Sequence, residues 1–203
     1  MTQEHNDIFE LIAKTLSHRN IKTMPGIRTV STPAAVLVPI FLKNGDLTVL
    51  FTKRASHVRY HSGHVSFPGG VVDGADPSPE HTALRESWEE IGLQPKDVIV
   101  LGPLDESMTY APPFIIHPFV GTIPYPYRFK INTNEVEKII EAPLASFLSS
   151  DATIGSDYGA LCEEHYFPEF NVGGELIWGT TASIVANFTG ILKRSSVFKI
   201  LSQ

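Results

Sequence analysis

The sequence predicts an α/β fold in which helices are distributed among strands. Apolar residues recur at helical spacing near both ends of the chain, in residues 7–16 and 177–193. Between them, apolar runs at 34–42 and 47–52 flank the turn formers Asn44, Gly45 and Asp46, which is the pattern of a β-hairpin. The first of these runs is nearly continuous, as is typical of a strand buried on both faces.

The domain organisation follows from length and patterning. We expect residues 1–30 to form an N-terminal helix and a linker, and residues 31–203 to form a single domain. After a glutamate-rich helix at 78–91, strand patterns occur near 98–101 and within 107–121. A further strand is expected at 125–131, and residues 134–140 are expected to lead into a short helix around 143–148. A closing helix is expected to cover the sheet.

Composition excludes several classes of protein. Hydrophobic residues make up 42% and charged residues 19% of the chain, which is ordinary for a globular protein. The net charge of -6 argues against nucleic acid or an anionic membrane as partner, because both require a basic surface. Cys162 is the single cysteine, so an intramolecular disulfide and a four-cysteine zinc site are excluded. The first residues lack the basic and apolar regions of a signal peptide, and no apolar run approaches 18 residues, so we expect a cytoplasmic location.

The helix at 78–91 gathers carboxylates on one face. At roughly 100° per residue, three acidic side chains lie on one side of this helix and three apolar ones on the opposite side. The acidic residues are Glu86, Glu89 and Glu90, and the apolar residues are Leu84, Trp88 and Ile91. We expect the apolar side to pack and the acidic side to bind a hard divalent cation, although a solvated acidic face is the alternative.

Residues before this helix favour a metal site. Pro68, Gly69 and Gly70 form a tight turn in which the backbone can approach a ligand without a Cβ in the way. Asp76 or Ser78 can cap the start of the helix. The glycine turn, the capped helix start and the acidic face therefore form one unit.

The stretch from 67 to 93 resembles the box of the Nudix hydrolases. That box reads G, five residues, E, seven residues, R-E-U-x-E-E-x-G-U, where U is aliphatic. The matching residues are Gly70, Arg85, Glu86, Glu89, Glu90, Gly92 and Leu93. Three positions differ: Asp76 replaces the first glutamate, eight residues separate it from Arg85, and Ser87 replaces the first aliphatic residue. Ser87 is small, so we expect it to be tolerated where the backbone packs closely.

A second stretch, 51–70, resembles the extra motif of the coenzyme A pyrophosphatase branch of that superfamily. The residues in register are Thr52, Arg54, Ala55, Arg59, Gly63, Phe67, Pro68, Gly69 and Gly70. The spacing of Asp73 and Asp76 and the eight-residue gap before Arg85 are also similar to that branch. Residues 110–113 depart from the glycine-containing loop that related enzymes carry, which leaves the exact substrate open.

The resemblance implies an α/β/α sandwich around a mixed sheet, and a metal-dependent hydrolase. Mg²⁺ or Mn²⁺ would be held by Glu86, Glu89 and Glu90 with a carbonyl of Gly69 or Gly70, and Arg85 would orient a glutamate. The proton acceptor would be Glu86 or a carboxylate outside the box, for which Glu164 is the candidate. The residues expected to contact substrate are Arg54, Arg59, His61, Gly63 and Tyr110. Glu135, Glu137 and Glu141 are expected at the surface.

The favoured reaction is cleavage of coenzyme A or an acyl derivative to adenosine 3′,5′-bisphosphate and a phosphopantetheine product. ADP-ribose, a dinucleotide or a dinucleoside polyphosphate is the alternative substrate. A nucleotide-binding regulator without catalysis is a third possibility, but the presence of all three box glutamates argues against it. The expected partner is thus a small nucleotide-containing molecule, and a homodimer is the default assembly.

Overall fold

The computed structural model describes residues 3–24, 31–57, 63–110, 112–148, 153–154 and 168–201. The helices of this part are α1 (Gln3–Ser17), α2 (Pro79–Ile91), α3 (Ala145–Leu148), α4 (Gly179–Lys193) and α5 (Val197–Leu201). The strands are β1 (Thr32–Lys43), β2 (Asp46–Arg54), β3 (Val65–Ser66), β4 (Gly69–Val71), β5 (Ile99–Pro103), β6 (Ser107–Tyr110), β7 (Pro113–Thr122), β8 (Val136–Pro143), β9 (Thr153–Ile154), β10 (Pro168–Val172) and β11 (Glu175–Ile177).

Eight of these strands form the main sheet. Its central order is β3-β2-β1-β7-β5, while β4 pairs with β1, β6 with β7, and β8 with β2. β1 and β7 are parallel, and the other pairs in this sheet are antiparallel. The sheet is therefore mixed, as predicted. A smaller antiparallel sheet has the order β11-β10-β9.

β1 and β2 pair with each other near their turn and with different strands farther from it. Asn44 and Gly45 have φ angles of 55° and 94°, as the predicted tight turn requires. Beyond it, the second half of β1 pairs with β2, whereas its first half pairs with β4, so that Val36 lies opposite Gly69. The far end of β2 pairs instead with β3, with Lys53 opposite Val65. The glycine turn therefore enters the sheet where the two long strands separate.

Helices cover both faces of the main sheet. α2 packs on one face in a hydrophobic cluster whose largest members are Leu37, Phe41, Leu50, Ile91 and Leu93. α1 and α4 pack on the opposite face, in a cluster that includes Ile12, Leu16, Phe51, Phe147 and Phe188. This layering is the predicted α/β/α sandwich, and α1 contributes to its core. No helix in the described ranges is long and apolar enough to cross a membrane.

Two predictions for the segment between β7 and α3 are wrong. Residues 125–131 form no strand; Pro124 and Pro126 lack the N–H that a strand ladder needs. The segment runs instead along the end of α2, where the Lys130 N–H donates to the Ile91 carbonyl at 2.9 Å. Residues 134–140, expected to lead directly into a helix, instead enter the strand β8 at Val136, while the short helix itself is confirmed as α3 (Ala145–Leu148).

Candidate active site

Local sequence signals fix the two ends of α2. The Ser78 hydroxyl accepts the His81 N–H at the start of the helix, and Pro79 occupies its first turn. At the other end, Gly92 adopts the left-handed conformation, and its N–H donates to the carbonyls of Ser87 and Trp88. Of the two capping residues considered, Ser78 is the one that caps. These ends place the glutamates on the last two turns.

The predicted packing face of α2 is confirmed at Ile91 and Leu84, which lie in the cluster against the sheet, but it is wrong at Trp88. Ala83 and Ser87 are fully buried, and the Ser87 hydroxyl donates to the Ala83 carbonyl at 2.7 Å. Ser87 is therefore tolerated at close packing, as expected. Trp88, expected on the packed side, is 50% exposed. Because small residues face the sheet, the helix lies close to it and turns Glu90 inward, where only 3% of that residue is exposed.

The glycine turn lies directly against the carboxylates. A Cβ added to Gly69 would be 2.3 Å from the Ala35 carbonyl oxygen, so the backbone allows no side chain there. A Cβ added to Gly70 would be 2.4 Å from the carboxyl carbon of Glu86. The Gly69 N–H also donates a hydrogen bond to the Glu90 carboxylate. The two glycines thus bring main-chain groups beside two of the three glutamates.

Arg85 joins the loop before α2 to the acidic face of the helix. Its Nε and one terminal nitrogen donate to the two carboxylate oxygens of Asp76 at 3.0 and 2.9 Å. Its other terminal nitrogen contacts Glu86 at 2.7 Å and Glu89 at 3.2 Å. These hydrogen bonds hold the pKa of Asp76 well below its usual range. Asp76, at the position of the first box glutamate, therefore anchors the arginine that contacts Glu86 and Glu89.

Glu90 is a buried carboxylate with one unsatisfied oxygen. Its Oε2 is inaccessible and has no hydrogen-bond partner in the described part of the chain. The pKa of Glu90 is raised to about 8, mainly by burial and also by the charges of Glu86 and Glu135, while Arg54 and the Gly69 N–H oppose the rise. Burial also raises the pKa of Glu86, against the effect of Arg85. Both carboxylates thus need a nearby cation to be stable in the ionised form.

The donor atoms fit a hard divalent cation. Within the described ranges, no three His, Cys, Asp or Glu side chains are already arranged around a metal position, and the Arg85 guanidinium is the cation that contacts Glu86 and Glu89. Three sources of oxygen ligands nevertheless lie together. They are the inaccessible Glu90 oxygen, the adjacent Glu86 carboxylate and the carbonyl groups of the glycine turn. Such a set suits Mg²⁺ or Mn²⁺ rather than a softer metal.

Arg54 lies beside this cluster, at the end of β2, where the pairing with β8 shifts register. Its Nε is inaccessible and has no hydrogen-bond acceptor among the described residues. The positive charge of Arg54 opposes the rise in the pKa of Glu90, so the two side chains are close. Its backbone binds the next loop: the Arg54 N–H donates to the His64 carbonyl and the Gly63 N–H donates to the Arg54 carbonyl, at 2.9 and 3.2 Å.

Of the five other predicted site residues, only Gly63 and Tyr110 lie in the part of the chain that the structure describes. Gly63 has a φ of 70°, which favours glycine. Tyr110 is the last residue of β6 and lies opposite Pro113 in the hairpin with β7. Arg59, His61 and Glu164 lie outside the described residues.

Sequence reasoning missed Glu135. This residue, expected at the surface, is half-buried in the turn before β8, and its charge acts on both Glu86 and Glu90. Its carboxylate accepts a hydrogen bond from the Asn132 amide at 3.2 Å. The signal was available only indirectly: Glu135 precedes a strand that pairs with β2 and meets Arg54 at its first residue, Val136. The position of Glu135 follows from the pairing of β8 with β2, which the sequence pattern of residues 134–140 does not predict.

The chain is similar in sequence to known proteins. The NUDIX domain profile matches residues 31–152. A protein of Photorhabdus laumondii, the uncharacterized Nudix hydrolase NudL, is 39% identical over 155 residues, which are 75% of this chain and 80% of the relative. A relative of the same name from Yersinia enterocolitica is 38% identical over 157 residues, which are 75% of this chain and 77% of the relative.

One solved structure is similar in fold. The crystal structure of a MutT/nudix family protein from Enterococcus faecalis matches 85% of this chain and 68% of its own chain, with a TM-score of 0.55 and 14% identity. At this identity the likeness concerns the arrangement of helices and strands alone.

Proposed function

Because this chain belongs to the Nudix hydrolase family, and so is a pyrophosphohydrolase of nucleoside diphosphate derivatives, we propose that its substrate is coenzyme A or an acyl-coenzyme A. The products are adenosine 3′,5′-bisphosphate and (acyl-)phosphopantetheine. The observation that carries this proposal is Arg54, a cation beside Glu90 whose inaccessible Nε has no acceptor among the described residues. It belongs to the 51–70 stretch that resembles the coenzyme A pyrophosphatase motif.

The family uses divalent metal ions, and we assign Mg²⁺ or Mn²⁺ to Glu86, Glu89 and Glu90, with a carbonyl of Gly69 or Gly70. When bound, such an ion neutralises the diphosphate and makes a water easier to deprotonate. The protein's own contribution is to fix these ligands. Gly69 and Gly70 supply backbone without a Cβ at this point, and Arg85 keeps the two more exposed glutamates in place. Phosphoryl transfer requires mainly this positioning and charge neutralisation.

A carboxylate accepts the proton of the attacking water in this proposal. Glu86 is the first candidate, because it lies in the box beside the proposed metal ligands. Glu135 lies close enough to act on both Glu86 and Glu90, and is a second candidate. Glu164 stays a prediction from the sequence. The three candidates can be separated by the dependence of turnover on pH in their glutamine variants.

The substrate is positioned by the loop between β2 and β3 in this proposal. Arg54 contacts the diphosphate or the 3′-phosphate, because a guanidinium can bind phosphate at two points. Arg59, His61 and Gly63 from the same loop, and Tyr110 at the end of β6, are proposed to complete the contacts. Residues 110–113 depart from the glycine-containing loop of the coenzyme A pyrophosphatase branch, so the second candidate within the class is ADP-ribose, a dinucleotide or a dinucleoside polyphosphate.

The test is incubation of the purified protein with each substrate and Mg²⁺ or Mn²⁺, followed by mass spectrometry of the products. We expect adenosine 3′,5′-bisphosphate from coenzyme A, and none after addition of EDTA. Cleavage of ADP-ribose or a dinucleotide but not of coenzyme A would refute the substrate and keep the reaction. Glu89→Gln and Glu90→Gln are each expected to reduce turnover by orders of magnitude, and Glu80→Gln, on the same helix, is the control. Near-normal turnover in both would refute the metal assignment.

A further inference from the structure

We propose that Asn132 is a positioning residue that fixes the carboxylate of Glu135 relative to the end of the glutamate helix. The inference rests on the proposed function, because it assumes that Glu135 takes part in diphosphate hydrolysis. Its basis is the hydrogen bonds of one short segment, residues 130–136, which leads from β7 into β8 and is hydrogen-bonded to the end of α2.

The segment is attached firmly to the end of α2. The Asn132 N–H donates to the Glu90 carbonyl at 2.8 Å, and the Lys130 N–H donates to the Ile91 carbonyl at 2.9 Å. A Cβ added to Gly92 would be 2.8 Å from the Cβ of Lys130, so the two chains are in close contact. Helix C-termini leave their last carbonyls without intrahelical partners, and here residues 130 and 132 supply donors. The main chain of Asn132 therefore has a fixed relation to Glu90.

The other polar groups of Asn132 organise the turn that carries Glu135. Its carbonyl accepts the N–H groups of Glu135 and Val136 at 3.0 and 2.9 Å. Its Oδ1 accepts the Asn134 N–H at 3.2 Å, and its Nδ2 donates to Glu135 Oε1 at 3.2 Å. One side-chain atom thus holds the turn, while the other holds the carboxylate. These two roles can be separated by substitution.

The turn is also tied to the strand that carries Arg54. The Glu135 carbonyl accepts the Ala55 N–H at 2.9 Å, and Val136 lies opposite Arg54 in the pairing of β2 with β8. Main-chain bonds therefore fix the backbone of Glu135 from two sides. Its side chain has one described hydrogen-bond donor, the Asn132 amide. Loss of that amide is expected to leave the turn in place and to release the carboxylate.

The effect should fall on turnover rather than on substrate binding. Misplacement of a catalytic group by about 1 Å can cost about a hundredfold in rate. Asn132 is not among the proposed substrate contacts, so we expect kcat to fall about ten- to a hundredfold while KM stays within about twofold.

The informative variant is Asn132→Asp. A carboxylate oxygen can still accept the Asn134 N–H, but it cannot donate to Glu135 and repels it. Asn134→Ala is the matched control, since it removes an exposed amide from the same turn without touching the Asn132–Glu135 bond. We expect Asn132→Asp to lower kcat without lowering the melting temperature by more than a few degrees, and Asn134→Ala to behave like wild type. Wild-type kcat in Asn132→Asp would overturn the inference.

A double-mutant cycle tests whether Asn132 acts through Glu135. In a Glu135→Gln background, adding Asn132→Asp is expected to cause no further loss of kcat, because the group that it positions is already absent. An additional loss of the same fold as in the wild-type background would overturn the inference. A wild-type protein that cleaves none of the nucleoside diphosphate substrates would overturn the proposed function itself, which distinguishes the two failures.

Discussion

Replacement of Gly70 by alanine should reduce turnover while leaving stability almost unchanged. The new Cβ would lie 2.4 Å from the Glu86 carboxyl carbon, whereas ordinary contacts begin at 3.4 Å, so the carboxylate must move by about 1 Å. A displacement of this size at a catalytic group costs about a hundredfold in rate. The fold should tolerate the change, because the clash involves the end of a flexible side chain, and Gly→Ala gains about 0.4–1 kcal/mol through the unfolded chain.

The assay is steady-state hydrolysis at saturating Mg²⁺, with thermal unfolding measured on the same samples. Gly74→Ala is the matched control: Gly74 lies nearby in the loop between β4 and α2, and a Cβ there would meet nothing within 4 Å. We expect Gly74→Ala to retain wild-type turnover and Gly70→Ala to lose about a hundredfold with a melting temperature within about 4 °C of wild type. Wild-type kcat in Gly70→Ala would refute the placement of Glu86 at the reaction centre.

Three further predictions concern charged side chains. Arg85→Lys keeps the charge but loses the two-point contact with Asp76, so kcat at saturating Mg²⁺ should fall at least about tenfold; an unchanged kcat would contradict this. The pKa of Glu90 is raised from 4.5 to about 8, so ionisation of Glu90 lowers the stability of the folded protein increasingly as pH rises across that interval. In EDTA, Glu90→Gln should therefore have a higher melting temperature than wild type, by a difference that grows with pH; a difference that shrinks with pH would contradict this. Burial raises the pKa of Asp105, but hydrogen bonds from Lys22 and Asn187 and the charge of Arg19 outweigh it, so the pKa is lowered from 3.8. Asp105→Asn should therefore lower the melting temperature by about 5 °C at neutral pH, and by less as pH falls below 3.8. A difference that does not depend on pH would exclude the carboxylate as its cause.

The parts of the site that depend on neighbouring residues in the chain could be predicted from the sequence. The limits of α2 follow from Ser78, Pro79 and Gly92, each of which acts on the residues next to it. The hairpin at Asn44 and Gly45 is equally local, since those residues accept the positive φ that its turn requires.

The parts that depend on distant partners could not be predicted. Whether Trp88 or Ser87 faces the sheet depends on how closely β1 approaches the helix, which helical periodicity does not encode. β8 exists as a strand because it pairs with β2, about 90 residues earlier, through matches such as Val49 with Ala142. The position of Glu135 depends on that pairing as well.

The pairing of Lys53 with Val65 has a consequence for how related enzymes can diverge. This pairing holds the end of β2 next to the start of β3. Insertions or deletions in the segment that connects the two strands therefore change its length while its two ends stay in place. Doubling the length of such a loop costs only about 0.6 kcal/mol of closure entropy. New substrates could therefore be recruited by rewriting this loop alone, with the hydrolytic helix inherited unchanged.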